Sequence, residues 1–352
     1  MKKNSPPDLK GRIEKLANMP AMIAAVKAAG EGLYIVGGAV RDTVLGLSVN
    51  DIDLATTGPF EKTAELLARA FGKQGIMLGR PPKPTCRFAL PGLNIDLSPA
   101  EGGTIEIDLK RRDLTINAMA LELRIREPRI IDPGDGLGDL DKKAARFVSS
   151  EVVQADPLRL LRLFRFSADL SLTPDPHSLD LIKTHAALIQ DVPGERIREE
   201  LLKLMALPHV SNTVKSMLDS GLLLALMPEL EPLQGCGQNY YHHLDVLDHS
   251  LLALSSLEQI MAEPGAYFPE HTAKIQAYLS ENSRAALLKI IALLHDLGKP
   301  RTRSEDEDGR LRFFGHEEVG EEMAARIASR FRLANHEKGF ICFIIRHHLR
   351  VF

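Results

Sequence analysis

YIVGGAVRDTVLGLSVNDIDLATTG, residues 34–58, decides how the surrounding chain folds. The apolar run 33–36 reads as a buried strand that stops at Gly37-Gly38. A helical pattern starts at Ala39, with Val40, Val44, Leu45 and Leu47 apolar and Arg41-Asp42 at its head. Asn50 breaks it, and residues 51–54 resume as a strand. Side chains alternate along a strand, so Asp51 and Asp53 share one face while Ile52 and Leu54 share the other. Adjacent carboxylates repel, and a fold that builds such a pair normally has a cation between them. Alone, a DxD is an ordinary surface pair and a Gly-Gly an ordinary turn. In this order, however, backbone N–H groups at the helix start suit phosphate oxygens, and the Asp pair suits magnesium on those phosphates. The stretch therefore predicts a nucleoside triphosphate site.

Outward from that site, 352 residues predict two or three domains. A chain 44% hydrophobic and 26% charged is an ordinary globular protein. Trp is absent and aromatics make up 5%, so the cores must rest on aliphatic residues and Met. The net charge of −3 leaves no global basic footprint, so any RNA must meet a local basic surface. Cys86, Cys236 and Cys342 are isolated and odd in number, which argues against a disulfide framework or zinc cluster and fits a reducing cytoplasm. The start MKKNSPPDLK has no apolar stretch behind it, so no secretory signal is expected. No run approaches the roughly 18 apolar residues of a membrane span, and no membrane partner is expected. Oligomeric state is not legible.

In chain order, residues 16–29 read as a helix ended by Gly30 and Gly32. Residues 61–71 form another, ended by Gly72. Residues 76–78 and 86–90 read as short strands around the stiff segment RPPKP, and 93–97 as a further strand bearing Asp96. A two-metal site needs a third carboxylate from a neighbouring strand, and Asp96 is the candidate. DLKRRDLTINAMALEL, 108–123, carries Lys110, Arg111, Arg112 and Asp113. From Ser150 the pattern turns helical, and Leu158, Leu161, Phe164 and Phe166 face a core beside Arg159, Arg162 and Arg165. Asp156 and Arg159, three apart on a helix, fall on one side. A carboxylate accepts and a guanidinium donates. Such a pair matches the amino donor and ring-nitrogen acceptor of cytosine and adenine, and rejects uracil and guanine.

Together, GGAVRD, LG and DIDLATTG resemble the catalytic signature of the class II tRNA nucleotidyltransferase and bacterial poly(A) polymerase family. The family adds nucleotides from CTP and ATP to the 3′ end of tRNA or other RNA, with release of pyrophosphate. The resemblance implies a polymerase-beta-like α/β head over 1–148, a helical neck and body over 149–233, and an all-α domain over 234–352. It implies that Asp51, Asp53 and Asp96 hold magnesium, and that Gly37, Gly38 and Arg41 sit at the phosphates. The RRDLTINA string is similar to the family's RRDxTINA, which assigns Arg112 and Asp113 to the triphosphate and ribose, with Asn117 beside them. DP…GxxDL is matched by 132–140, and ERIxxEL by 195–201, a structural element.

Two departures bear on the product. Only eleven residues, LSPAEGGTIEI, separate Asp96 from Asp108, where CCA-adding members carry a longer mobile loop. The family's base-selecting EDxxR reads ADPLR here, with Asp156 and Arg159 kept, Arg162 following, and Ala155 in place of the Glu. A member adding only CC, or one base, fits as well as full CCA synthesis. A poly(A) polymerase is a rival, against which Gly79-Arg80-Pro81 lacks a GRRF-like string.

Seven of the twelve His fall in YHHLDVLDHSLLAL, LLKIIALLHDLGKP, FFGHEEVGEEMA and IIRHHLRVF. His295-Asp296 after an apolar helix resembles the HD phosphohydrolase superfamily. By that resemblance His249, His295 and Asp296 are metal ligands, completed by His316 and by His347 or His348. Imidazole with carboxylate suits a transition metal better than magnesium. Hydrolysis of RNA 2′,3′-cyclic phosphates is thus an alternative activity. The last helix reads as cut off at Phe352, and a tail that helps hold tRNA is expected beyond it.

Overall fold

The computed structural model describes residues 9–79, 84–123, 128–237, 244–281 and 283–351. Arg80, Pro81, His242 and His243, used above, lie outside the described residues. The chain divides into two compact units, Met1–Val152 and Val153–Phe352.

In the first unit the helix expected over 16–29 is two helices, α1 (Leu9–Ala17) and α2 (Pro20–Ala29). Pro20 has no N–H to continue a helix and holds Met19 extended, at φ −56° and ψ 138°. β1 (Leu33–Val36) leads into α3 (Gly38–Leu45), which Gly46 ends in the left-handed conformation. Leu45 and Leu47, expected on the apolar face, are exposed around that cap. β2 (Asp51–Thr56) and α4 (Phe60–Phe71) follow. β3 (Ile76–Leu78), β4 (Thr85–Leu90) and β5 (Leu93–Pro99) come next. After α5 (Ile105–Lys110) come β6 (Ala120–Glu122), β7 (Arg129–Ile131) and α6 (Gly136–Asp141).

The seven strands form one sheet in the order β3-β4-β5-β2-β1-β6-β7. β2 and β5 run parallel, and the other neighbours antiparallel. Period-two alternation buries Ile52, Leu54, Ile95, Leu97 and Phe88, while Asp51, Asp53, Asn94 and Asp96 face the other way. Each such large apolar side chain stabilises by about 1.5–3 kcal/mol when fully buried. α4 covers the apolar face, with Phe71 edge-on to Phe88 at 5.3 Å, and α2 packs on α4. On the carboxylate face, Ile105 and Leu109 of α5 bury against Val36, Ala55 and Ala120. The eleven-residue connection after Asp96 is therefore the end of β5, a short turn over Glu101–Gly103 and the start of packed α5, rather than an open loop.

The second unit is helical among its described residues, apart from short two-residue strands. The helix Leu158–Asp169 buries Leu158, Leu161, Phe164 and Phe166, as expected, and Leu160 and Leu163 besides. Asp156 does not share that helix. It sits in the break after Glu151–Ala155, before Pro157 caps the next helix. Inside the unit Glu258 and Lys289, 3% and 2% exposed, form an ion pair at 3.2 Å. Glu258 accepts from the Val210 and Ser211 N–H at 2.6 and 3.2 Å. Lys289 donates to the Leu207 and Pro208 carbonyls. Burial pulls the Lys289 ammonium below its ordinary range, and Glu258 opposes that pull.

Removing one member of a buried pair strands the other, a cost of about 3–5 kcal/mol. We expect Glu258→Ala to destabilise the chain by about that much in urea unfolding followed by circular dichroism. Glu258→Met with Lys289→Met should recover only part of the loss, because the Val210 and Ser211 N–H and the Leu207 and Pro208 carbonyls also lose their partners. Equal stability of single and double variants would contradict this account.

Candidate active site and metal centre

Strand register brings the predicted carboxylates of the first unit together. Asp53 stands opposite Asp96 across the β2–β5 pairing, and Asp51 stands opposite Asn94. Asn94 Nδ2 donates to Asp51 Oδ1 at 2.9 Å. One strand further, Arg87 faces Asp96, and its Nε and Nη2 donate to the two carboxylate oxygens at 2.8 and 2.6 Å. Burial pushes the Asp53 carboxyl above the ordinary carboxylate range. Arg112 opposes that shift, Asp96 and Asp51 add to it, and Arg87 opposes it. An all-oxygen set with one acid already forced toward its neutral form fits a hard divalent cation.

Gly37, at φ 68°, links β1 to α3. Its N–H donates to the Met119 carbonyl at 3.1 Å, so the phosphate cradle expected there begins one residue later, in the first turn of α3. A Cβ on Gly37 would stand 2.8 Å from Arg112 Nη1 and 3.9 Å from Asp53 Oδ2. The positive φ favours glycine, and a Cβ there would also push the Arg112 guanidinium aside. Arg112 is aimed by Asp108, whose Oδ2 accepts from its Nε and Nη2 at 3.0 and 2.9 Å. Asp108 Oδ1 accepts from the Glu101 N–H at 3.0 Å, tying the short segment after β5 to this arginine. Arg41, 8% exposed, donates to Asp42 at 2.8 Å and to Asn117 Oδ1 at 2.6 Å. Asn117 Nδ2 then donates to Asp113 Oδ1 at 3.2 Å, which also accepts from the Leu114 N–H. A Cβ on Gly38 would lie 3.6 Å from Arg41 Nη2. Carboxylates and fixed guanidinium groups therefore meet on one face, as a metal-bound triphosphate needs.

In the second unit Asp156 is paired, and its main partner is Arg196 of the helix Gly194–Met205. Arg196 Nη1 and Nη2 donate to its two oxygens at 3.0 and 2.8 Å. Burial would raise the Asp156 carboxyl, but Arg196, with the charge of Arg159, holds it below the usual range. The Arg159 N–H bonds the Asp156 carbonyl at 3.1 Å, so the two remain neighbours despite the break at Pro157. Arg162 and Arg165 both donate to Glu200, which is 4% exposed.

Four His residues of that unit converge on Asp296, 1% exposed. His249 and His295 Nε2 lie 3.6 and 3.1 Å from its Oδ2, and His316 and His348 Nε2 lie 3.4 and 3.7 Å from its Oδ1. Of the two late alternatives, His348 joins the cluster, while His347 packs edge-on to Phe343. His295, His316 and His348 each direct Nδ1 at the carbonyl three residues back, at 3.0, 2.7 and 2.7 Å. An Nδ1–H donated to a carbonyl leaves the Nε2 lone pair free for a metal. The Nε2 atoms of His316 and His348 approach to 3.2 Å, a distance two lone pairs cannot share without a proton or cation between them. Asp296 Oδ2 is buried and ion-paired with Lys299 Nζ at 2.7 Å. Burial would raise the Asp296 carboxyl, but the imidazoles hold it far below its ordinary range. Two overlapping groups, His249/His295/Asp296 and Asp296/His316/His348, could each hold an ion.

Sequence reasoning passed over Arg87, Asp108, Arg196 and Glu200. A signal existed for the first. Pro91-Gly92 reads as a two-residue turn, and counting back from Leu90↔Leu93 puts Arg87 opposite Asp96. Asp108 and Arg112 stand four apart on a helical pattern. Nothing in the sequence links Arg196 to Asp156, forty residues away.

Comparison with known proteins follows the same division. Residues 33–83 and 90–146 match the Poly A polymerase head domain. Residues 171–234 match a probable RNA and SrmB-binding site of polymerase A, and 246–352 match the HD domain. An A-adding tRNA nucleotidyltransferase of Deinococcus radiodurans is 33% identical over 324 residues, 90% of this chain and 69% of its own length. A CC-adding tRNA nucleotidyltransferase of Geobacter sulfurreducens is 36% identical over 213 residues, 60% of this chain and 49% of its own. In fold, the chain resembles a Thermotoga maritima CCA-adding enzyme solved with tRNA, at a TM-score of 0.68 and 21% identity, covering 96% of this chain and 73% of that one. Identity sustained over most of the Deinococcus relative shows descent rather than a shared fold alone, and the chain belongs to the family of tRNA nucleotidyltransferases and bacterial poly(A) polymerases.

Proposed function

We propose that the chain is a template-independent tRNA nucleotidyltransferase, adding C, A or both from CTP and ATP to a tRNA 3′ end and releasing pyrophosphate. The observation that carries this reading is the row Asp53–Asp96, flanked by Asp51 and faced by Arg112 beside Gly37. Asp51, Asp53 and Asp96 would hold magnesium, which when bound favours attack of the RNA 3′-hydroxyl on the α-phosphate and stabilises the leaving pyrophosphate. Arg112, Arg41 and the first turn of α3 take the phosphates. Asp113, with Asn117, would accept from a ribose hydroxyl, a means of preferring ribonucleotides. In the second unit, Asp156, steadied by Arg196, would accept from the amino group of cytosine or adenine and Arg159 would donate to the ring nitrogen, with Arg162 extending the basic stripe. The short packed segment before Asp108 and Ala155 before Asp156 favour a partial activity, CC or a single base.

We assign the segments as a catalytic head 1–148, a neck and body 149–233, and an HD domain 234–352. Three free cysteines support a reducing, cytoplasmic setting. Among the described residues no helix is long and apolar enough to cross a membrane.

The His cluster favours a second activity on the same chain. His249, His295, Asp296, His316 and His348 form a mixed imidazole–carboxylate set suited to a transition metal, and hydrolysis of an RNA 2′,3′-cyclic phosphate is the reaction we assign it.

Three outcomes check these assignments. Asp53→Ala should abolish incorporation onto tRNA ending before CCA, at C and at CC, each offered CTP and ATP separately; retained incorporation would sink the transferase reading. Arg196→Leu should relax discrimination of CTP and ATP against UTP about tenfold in kcat/KM, the scale of one bidentate contact. Asp296→Asn should remove Mn2+ or Zn2+ binding by the second unit in calorimetry. There the metal needs neutral imidazoles, and Asp296 holds His348 protonated to higher pH than the ordinary 6.5, against the pull of burial. Affinity should therefore fall as pH drops from about 8 to 6, and the loss should begin above the range of a free histidine.

A further inference from the structure

We propose that Arg87 is the resident counter-ion of the first unit's carboxylate site, occupying Asp96 in place of a divalent cation and so setting how tightly the site binds one. The proposal rests on the reading of Asp51, Asp53 and Asp96 as magnesium ligands. Arg87 meets Asp96 as a two-pronged fork, with one bond to each oxygen. The two residues are direct partners in the β4–β5 register, so the backbone fixes the encounter. The Arg87 guanidinium also feels the charges of Asp51 and Asp53, and so offsets part of the acidic row. Its side chain is 48% exposed, which leaves solvent for the guanidinium to swing into. Arg112 differs: Asp108 holds it from behind and keeps it aimed at Gly37.

A guanidinium and a divalent ion compete for the same carboxylate lone pairs, and each also repels the other. With Arg87 in place Asp96 is paired without metal, and the ion must displace that charge-assisted pair to reach it. Metal loading is thereby tied to the arrival of a triphosphate, whose oxygens add ligands and offer the displaced guanidinium a new anion. Arg87 acts through Asp96 and is a positioning residue.

The test is Mn2+ binding without nucleotide, followed by electron paramagnetic resonance on the full chain carrying Asp296→Asn to silence the second cluster. Arg87→Gln should tighten Mn2+ binding about three- to tenfold, the scale of removing one half-exposed competing charge. Arg87→Lys, which keeps the charge and loses the fork, should fall between. Adding a non-hydrolysable CTP analogue should narrow the gap between wild type and Arg87→Gln. Binding that is unchanged or weaker in Arg87→Gln and in Arg87→Lys, with unfolding midpoints intact, overturns the proposal. Binding untouched by Asp53→Asn would count instead against the magnesium reading on which it rests.

Discussion

Mutual repulsion between carboxylates fixed on neighbouring strands is the constraint from which the first unit follows. The sheet prevents Asp53 and Asp96 from moving apart, because their strands pair in register and their other faces are locked into the core by Ile52, Leu54, Ile95 and Leu97. The electrostatic problem must then be solved by cations. Arg87 supplies one from the neighbouring strand, Arg112 another from the turn after α5. Packing that buries the apolar face and charge that organises the polar face are two halves of one alternating pattern.

The second unit solves the same problem twice with different chemistry. Asp156 lies at a helix break, partly exposed, and a guanidinium fork from another helix satisfies it. Asp296 is nearly fully buried and surrounded by imidazoles, whose charge depends on pH and which can give up their protons to a metal. A guanidinium cannot be deprotonated, so the first arrangement fixes a hydrogen-bonding pattern. An imidazole can be, so the second is open to exchange. This difference in partner suits one site to recognition and the other to metal chemistry.

Much of this was legible in the sequence, for physical reasons that differ by region. Strand alternation around Ile52 and Ile95, the glycine stop at Gly72, and the apolar stripe of Leu158–Asp169 are local, and the structure follows them, whereas Gly46 ends a helix expected to run on to Asn50. Pro20 splits a helix that periodicity alone runs together, since an apolar stripe carries no penalty for a missing N–H. Pro157 likewise moves Asp156 off the helix it was expected to share with Arg159. Polar partners were harder to foresee. Asp108 closes what reads as a spacer, and Arg196 sits in what reads as a structural element, because an ion pair between distant elements such as Arg196–Asp156 leaves no periodic trace. The His cluster was legible as four separate strings, but the choice of His348 over His347 depends on how the last helix ends in a tighter turn.

The two-residue turn Pro91-Gly92 has a consequence for how this chain can vary. It closes the β4–β5 hairpin at Leu90↔Leu93, and every pairing behind it is counted from there. Adding one residue at the turn would slip the register and send Arg87 and Asp96 to opposite faces, each side chain trading places with its apolar neighbour. Lengthening by two would restore the faces but move the charges out of step. The hairpin thus behaves as a length standard for the acidic row: its side chains can drift freely on the exposed surface, while insertions and deletions there are confined to none.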